Sequence, residues 1–150
     1  MGAIKPWKLN KVTGIVEVML EELVVRKEKL AKFERAKMIW SLAVMFCLAV
    51  FLFFGYDTLS KSEYAFGTNL LSSLLANAHL LLLVLILSVG LTQVRHFEKK
   101  SKKAEKEFEG LREELMERSS ELWNEDYEWR DRQDVYDYMK KEFDINLFYK

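Results

Sequence analysis

Two stretches of this 150-residue chain carry no charged side chain: Ile39 to Tyr56, and Leu70 to Val94. Few other sequence features restrict a fold so strongly. The first, IWSLAVMFCLAVFLFFGY, holds 18 residues, which as an α-helix rise through roughly 27 Å, close to the hydrocarbon thickness of a bilayer. The second holds 25 residues, enough to tilt, or to leave its polar first third at the interface while Leu80 to Leu91 fills the apolar interior. A buried helix of a water-soluble protein is rarely apolar all round for so long. The chain averages 31% charged residues with net charge zero, but that average hides the sorting. Segment charges are +4 over residues 1–38, −1 over 39–69, +4 over 95–106 and −7 over 107–150. Such segregation excludes a soluble globular enzyme, a disordered chain and a disulfide-stapled secreted module, the last also because there is one cysteine.

The first stretch lies too far from Met1, behind too long a charged segment, to read as a cleaved signal peptide, so it is expected to remain in the mature protein. Only residues 57–69 separate the two spans, which makes them antiparallel neighbours. Six basic residues (Arg26, Lys27, Lys29, Lys32, Arg35, Lys37) precede span one, six (Arg95, Lys99, Lys100, Lys102, Lys103, Lys106) follow span two, and the connecting loop holds Lys61 alone. The positive-inside rule then puts both termini in the cytoplasm of a plasma-membrane protein and the loop outside. Arg35, Lys37, Arg95, Lys99 and Lys100 are read as topogenic, lipid-headgroup contacts, in preference to nucleic-acid ligands.

Beyond the spans the periodicity is helical. Val12, Val16, Met19, Leu23, Leu30, Phe33 and Trp40 follow an alternating four-three spacing, with Arg26 and Lys37 the charged intruders. Phe97, Ala104, Phe108, Leu111, Leu115 and Leu122 repeat the pattern, with Ser101 and Arg118 interrupting it. Each seam is about three heptads long, enough for a coiled-coil pair between helices already tethered side by side. With no proline after Pro6, each span is expected to run on into its cytoplasmic helix. The fold class is therefore an all-α membrane protein, a two-helix transmembrane hairpin with helical extensions at both ends. Its segments are 1–38, 39–56, 57–69, 70–94, 95–122 and 123–150.

The run Lys103-Ala104-Glu105-Lys106-Glu107-Phe108 with Leu111-Arg112, then Arg118-Ser119, Leu122-Trp123 and the ending Ile145-Asn146-Leu147-Phe148-Tyr149, resembles the YpbF-type family of small two-span membrane proteins of Gram-positive bacteria. The Arg26-Lys27 arm and the Asn77-x-His79-Leu80 opening of span two are similar as well. The resemblance covers most of the chain apart from its first ten residues. It implies a bacterial plasma-membrane protein of this size, and no reaction, since the family has no assigned activity.

Catalytic signatures are absent: there is no phosphate-cradling glycine loop, metal-spaced His/Cys cluster or nucleophile elbow, so no enzyme, metal or cofactor is expected. Cys47 sits mid-span, where cysteine is usually a small packing residue. His79 and Asn77 are the polar groups of span two. An intramembrane ionisable group is by default a functional candidate, but His79 lies near the span's end, where an imidazole reaches the interface or a packing partner, and the two residues do not share a helix face. The acidic C-terminal segment reads in part as a solvated face, yet its aromatics are more than a solvating tail needs. Trp123, Tyr127, Trp129, Tyr136, Phe143 and Phe148 are thus candidate partner-binding residues, with internal docking the competing reading. The expected function is a non-enzymatic membrane-anchored adaptor or assembly factor, its partners membrane lipid and a protein at the cytoplasmic face or a second copy. The alternative is an oligomeric pore or transporter subunit lined by Ser41, Ser72, Ser73, Asn77, His79, Ser88 and Thr92.

Overall fold

A computed structural model describes residues 14–61, 77–123 and 126–148, and every regular element among them is helical. α1 spans Gly14–Lys61 (48 residues), α2 Ala78–Glu117 (40 residues), α3 Ser119–Leu122 and α4 Asp126–Phe143 (18 residues). The length of α1 and α2 follows from composition: neither contains proline, Leu recurs along both, and Lys and Glu fill the parts outside the uncharged stretches. Glu17 in the first turn of α1 sits where a negative charge complements the helix dipole. Both helices include a stretch long and apolar enough to cross a membrane. α2 opens with the amide of Leu81 donating to the carbonyl of Asn77 at 3.1 Å, which makes His79 its second residue. The start of the uncharged run, from Leu70, lies outside the described residues.

The chain divides into two compact units. One, Phe33–Lys100, holds the apolar stretches of α1 and α2. Here the helices pair in opposite directions: the ammonium of Lys100 lies 5.7 Å over the ring of Phe33, and further along α1 Val44 meets Gly90 of α2. Contact at Gly90 is close enough that a Cβ there would lie 2.7 Å from Cγ2 of Val44. Glycine lets two helix backbones approach in this way. Most of the unit's large apolar side chains face outward, among them Phe46 (71% exposed), Phe53 (71%) and Leu85 (66%). Leu80 is the one large apolar side chain buried among the unit's described residues.

The other unit, Met1–Lys32 with Ser101–Lys150, has a conventional core. α1 contributes Val16, Leu20, Leu23, Val24 and Leu30; α2 contributes Ala104, Phe108, Leu111 and Leu115; Trp123, Val135, Tyr136, Met139, Ile145 and Leu147 complete it. The α2 seam keeps the expected three-four spacing, and Ser101, read from sequence as an interruption, is itself buried in register. On α1 the buried face is wider than a two-helix seam: Leu20 and Val24 join it, while Met19 is half-buried and Trp40, in the other unit, is exposed. A helix packed against more than one neighbour needs this broader stripe. Charged residues close the edges of the core: Arg26 donates to the main-chain carbonyl of Glu107 at 2.7 Å while pairing with Glu22, and Lys29 reaches the Glu107 carboxylate at 3.4 Å.

Valine in a helix is held largely to one χ1 rotamer, so Val44 has little freedom to yield to a side chain at position 90. Gly90→Val is expected to cost about 1–3 kcal/mol through overpacking, read as a lower melting temperature of the full chain in detergent. In a Val44→Ala background the same substitution should cost distinctly less. Equal losses in both backgrounds would show that this contact does not set the helix spacing.

Candidate functional site

The C-terminal segment is built around a row of edge-to-face rings. After α2 ends at Glu117, Arg118 breaks the helix for one residue, its guanidinium 3.2 Å from Glu114 and 3.6 Å from Glu121. α3 then delivers Trp123, whose amide donates to the carbonyl of Ser119 at 3.1 Å. The Trp123 ring lies 5.7 Å from Tyr136 at 88°, and Tyr136 lies 5.5 Å from Phe148 at 84°. Both are T-shaped geometries favoured by the ring quadrupoles. The Arg132 guanidinium, one helical turn before Tyr136, stands 5.5 Å over its ring.

Past α4 the chain turns at Asp144, whose φ of 54° is left-handed, and the amide of Ile145 donates back to the carbonyl of Met139 at 3.1 Å. Ile145 and Leu147 alternate inward with Asn146 between them. Asn146 fastens the segment: its carbonyl accepts from Nε of Arg112 at 2.7 Å, and its Oδ1 accepts from the amide of Phe148 at 3.0 Å. Arg112 is held in turn by Glu109 at 2.6 Å. An open cleft of about 380 Å³ lies beside this cluster, lined by Met116, Glu117, Ser119, Arg132, Tyr136, Leu147 and Phe148.

Of the six aromatics singled out in the sequence, Trp123 and Tyr136 are thus core, 3% and 4% exposed. Phe143 is half-buried beside Tyr138, Phe148 is exposed, and the side chains of Tyr127 and Trp129 lie outside the described residues. The structure brings Trp123, Tyr136 and Phe148 together and turns the first two inward. Sequence reasoning missed another feature of the same unit. Ile15, Val18 and Val25 are exposed on α1 at 66%, 63% and 60%, and their spacing of three and seven places them along one face. That periodicity was available in the sequence, but it ran beside the stronger buried seam.

The polar groups of the apolar helices are arranged separately. His79 is exposed and Asn77 half-buried at the start of α2. The hydroxyls of Ser88 and Thr92 each donate to a carbonyl of their own helix, Val84 and Ser88 respectively, both at 2.9 Å. Among the described residues no group of three or more His, Cys, Asp or Glu side chains could hold a metal ion. Of the basic flanking residues, Arg35, Arg95, Lys99 and Lys100 are exposed, whereas Lys37 is half-buried and lines a groove with Glu34, Met38, Ser41, Leu42 and Val94.

These observations define an all-helical protein with two helices long and apolar enough to span a membrane. The chain belongs to the family described as "Protein of unknown function (DUF2663)", which matches residues 19–150. It is 27% identical over 132 residues to the "Uncharacterized protein YpbF" of Bacillus subtilis (strain 168), covering 88% of this chain and 86% of that one. The YpbF-type resemblance read from the sequence is therefore correct. No solved structure matches the chain.

Two buried polar atoms of the aromatic row, the Tyr136 hydroxyl and Nε1 of Trp123, have no hydrogen-bond partner. Burial raises the Tyr136 pKa above its usual 10.0, and the nearby Arg132 charge offsets part of that rise. Tyr136→Phe removes an unsatisfied hydroxyl while keeping both ring contacts. It should leave stability unchanged or raise it by about 1–3 kcal/mol, whereas Tyr136→Ala should cost about 3–5 kcal/mol. The folded protein holds this proton to higher pH than the unfolded chain does, so above pH 10 the unfolded chain ionises first and stability falls until pH passes the folded-state pKa. Chemical denaturation between pH 8 and pH 11 should show a smaller alkaline loss for Tyr136→Phe than for wild type. An equal loss would place the alkaline sensitivity elsewhere.

Proposed function

We propose that this chain is a non-enzymatic integral membrane protein, a two-span hairpin with both termini cytoplasmic, that acts as an adaptor or assembly factor through the unit built from residues up to 32 and from 101 onward. The membrane part is supported by the outward-facing side chains of Met38–Tyr56 and Leu81–Leu91. Contiguous apolar surface on that scale is foreign to a water-soluble monomer. The basic flanks supply the orientation. The observation that carries the interaction reading is the Ile15, Val18 and Val25 stripe, apolar and exposed on a unit whose other described residues bury a core. Exposed stripes of this kind mark sites for a partner helix. The partner is a protein at the cytoplasmic face or a second copy of the chain. The pore alternative draws no support from Ser88 and Thr92, whose hydroxyls are already bonded within their helix.

A photoreactive amino acid at Val18 in the full chain, irradiated in intact cells, should give a discrete higher-mass adduct. The same probe at the exposed Asp137 of α4 should not. An adduct of twice the chain mass identifies self-association; any other single mass identifies a separate protein. No adduct at position 18 above that at 137 would contradict the adaptor reading.

A further inference from the structure

The groove beside Lys37 has the chemistry of a lipid site. Glu34, Lys37, Met38, Ser41 and Leu42 are spaced by threes and fours and so share one face of α1, with Val94 of α2 forming the opposite wall of a space of about 470 Å³. Polarity falls along its length. The end at Glu34 and Lys37 is charged, Met38 and Leu42 are apolar, and Ser41 stands among them, over a distance of about 12 Å at the helical rise. Lys37 is half-buried and lines the groove, and a lysine so placed can lay its aliphatic stem on apolar surface while its ammonium reaches the polar layer. A phospholipid carries the same gradient from headgroup to acyl chain.

We propose that this groove binds one zwitterionic phospholipid of the phosphatidylethanolamine class, its phosphate on Lys37, its primary ammonium on Glu34, and an acyl chain along Met38, Leu42 and Val94. The proposal rests on the reading that α1 and α2 cross the bilayer. The groove carries one cation and one anion, so its own charge is balanced and matches a headgroup carrying both signs. An ethanolamine ammonium offers three N–H donors to the Glu34 carboxylate, whereas a trimethylated choline offers none. Exposed cations outside the groove, Arg35, Arg95 and Lys99, attract anionic lipid generally. The comparison that isolates the groove is therefore between variants at Glu34.

Full-length protein is purified in detergent doped with equal amounts of phosphatidylethanolamine, phosphatidylcholine and phosphatidylglycerol, and retained lipid is counted by native mass spectrometry. Wild type should retain the ethanolamine lipid about threefold over the choline lipid, the scale of one exposed charge pair. Glu34→Gln should erase that preference, and Ser41→Trp, which fills the groove, should reduce retention of all three. Equal retention of the ethanolamine and choline lipids by wild type would overturn the site, as would a preference for phosphatidylglycerol that Glu34→Gln leaves unchanged. Alkaline washing of cell membranes keeps the two levels apart. Protein that stays with washed membranes but lacks the preference loses the lipid site alone; protein that washes off loses the spanning reading and the site with it.

Discussion

Everything in this protein depends on where the apolar side chains of Met38–Tyr56 and Leu81–Leu91 can go. Most of them stand outward on α1 and α2, and removing each such side chain from water is worth about 1.5–3 kcal/mol. A handful of them outweighs the net stability of a typical domain, about 5–15 kcal/mol. A solvent made of hydrocarbon resolves this without any change of fold, and in such a solvent a helix is one of the few structures that satisfies its own backbone. In the proposed bilayer setting the hydrophobic driving force between the helices would vanish and pairing would fall to close packing. Gly90 against Val44 supplies that.

The unit of residues up to 32 and from 101 obeys the opposite rule. Most of its core-forming apolar side chains are collected inside, and its long surface ion pairs are marginal: Lys27 to Asp144 spans 3.8 Å with the aspartate 98% exposed, and Lys103 to Glu107 spans 3.9 Å on an exposed helix face. Pairs of this sort contribute under about 1 kcal/mol. More consequential are the two arginines that reach main-chain carbonyls across the unit, Arg26 to Glu107 and Arg112 to Asn146. Each charged donor satisfies a carbonyl at the core's edge, and each fixes the relative register of two segments.

Legibility in the sequence tracked periodicity. The apolar stretches needed only length and absence of charge, and the α2 seam from Ala104 to Leu115 needed only heptad spacing. Ser101 was misread because residue type outweighed its position in that spacing. Leu20 and Val24 were missed for the converse reason: a strict four-three template describes a helix with one neighbour, and the α1 face here is wider. Ile145 and Leu147 lie beyond the last helix, in a stretch too short for any period to declare itself. The aromatic segment was legible as structured but not as inward or outward facing, since composition alone does not tell a core ring from an anchoring one. Trp123 and Tyr136 proved to be the former, while the exposed apolar surface lay on α1.

Orientation across a bilayer is tested most directly by cysteine accessibility. In a Cys47→Ala background, Ser62→Cys reports on the connecting loop, and Lys103→Cys, at a side chain 80% exposed, reports on α2 beyond its apolar stretch. An impermeant maleimide applied to intact cells should label the first and spare the second, and permeabilised cells should be labelled at both. Protection of both positions in intact cells would contradict the crossing, and labelling at position 103 would contradict the orientation.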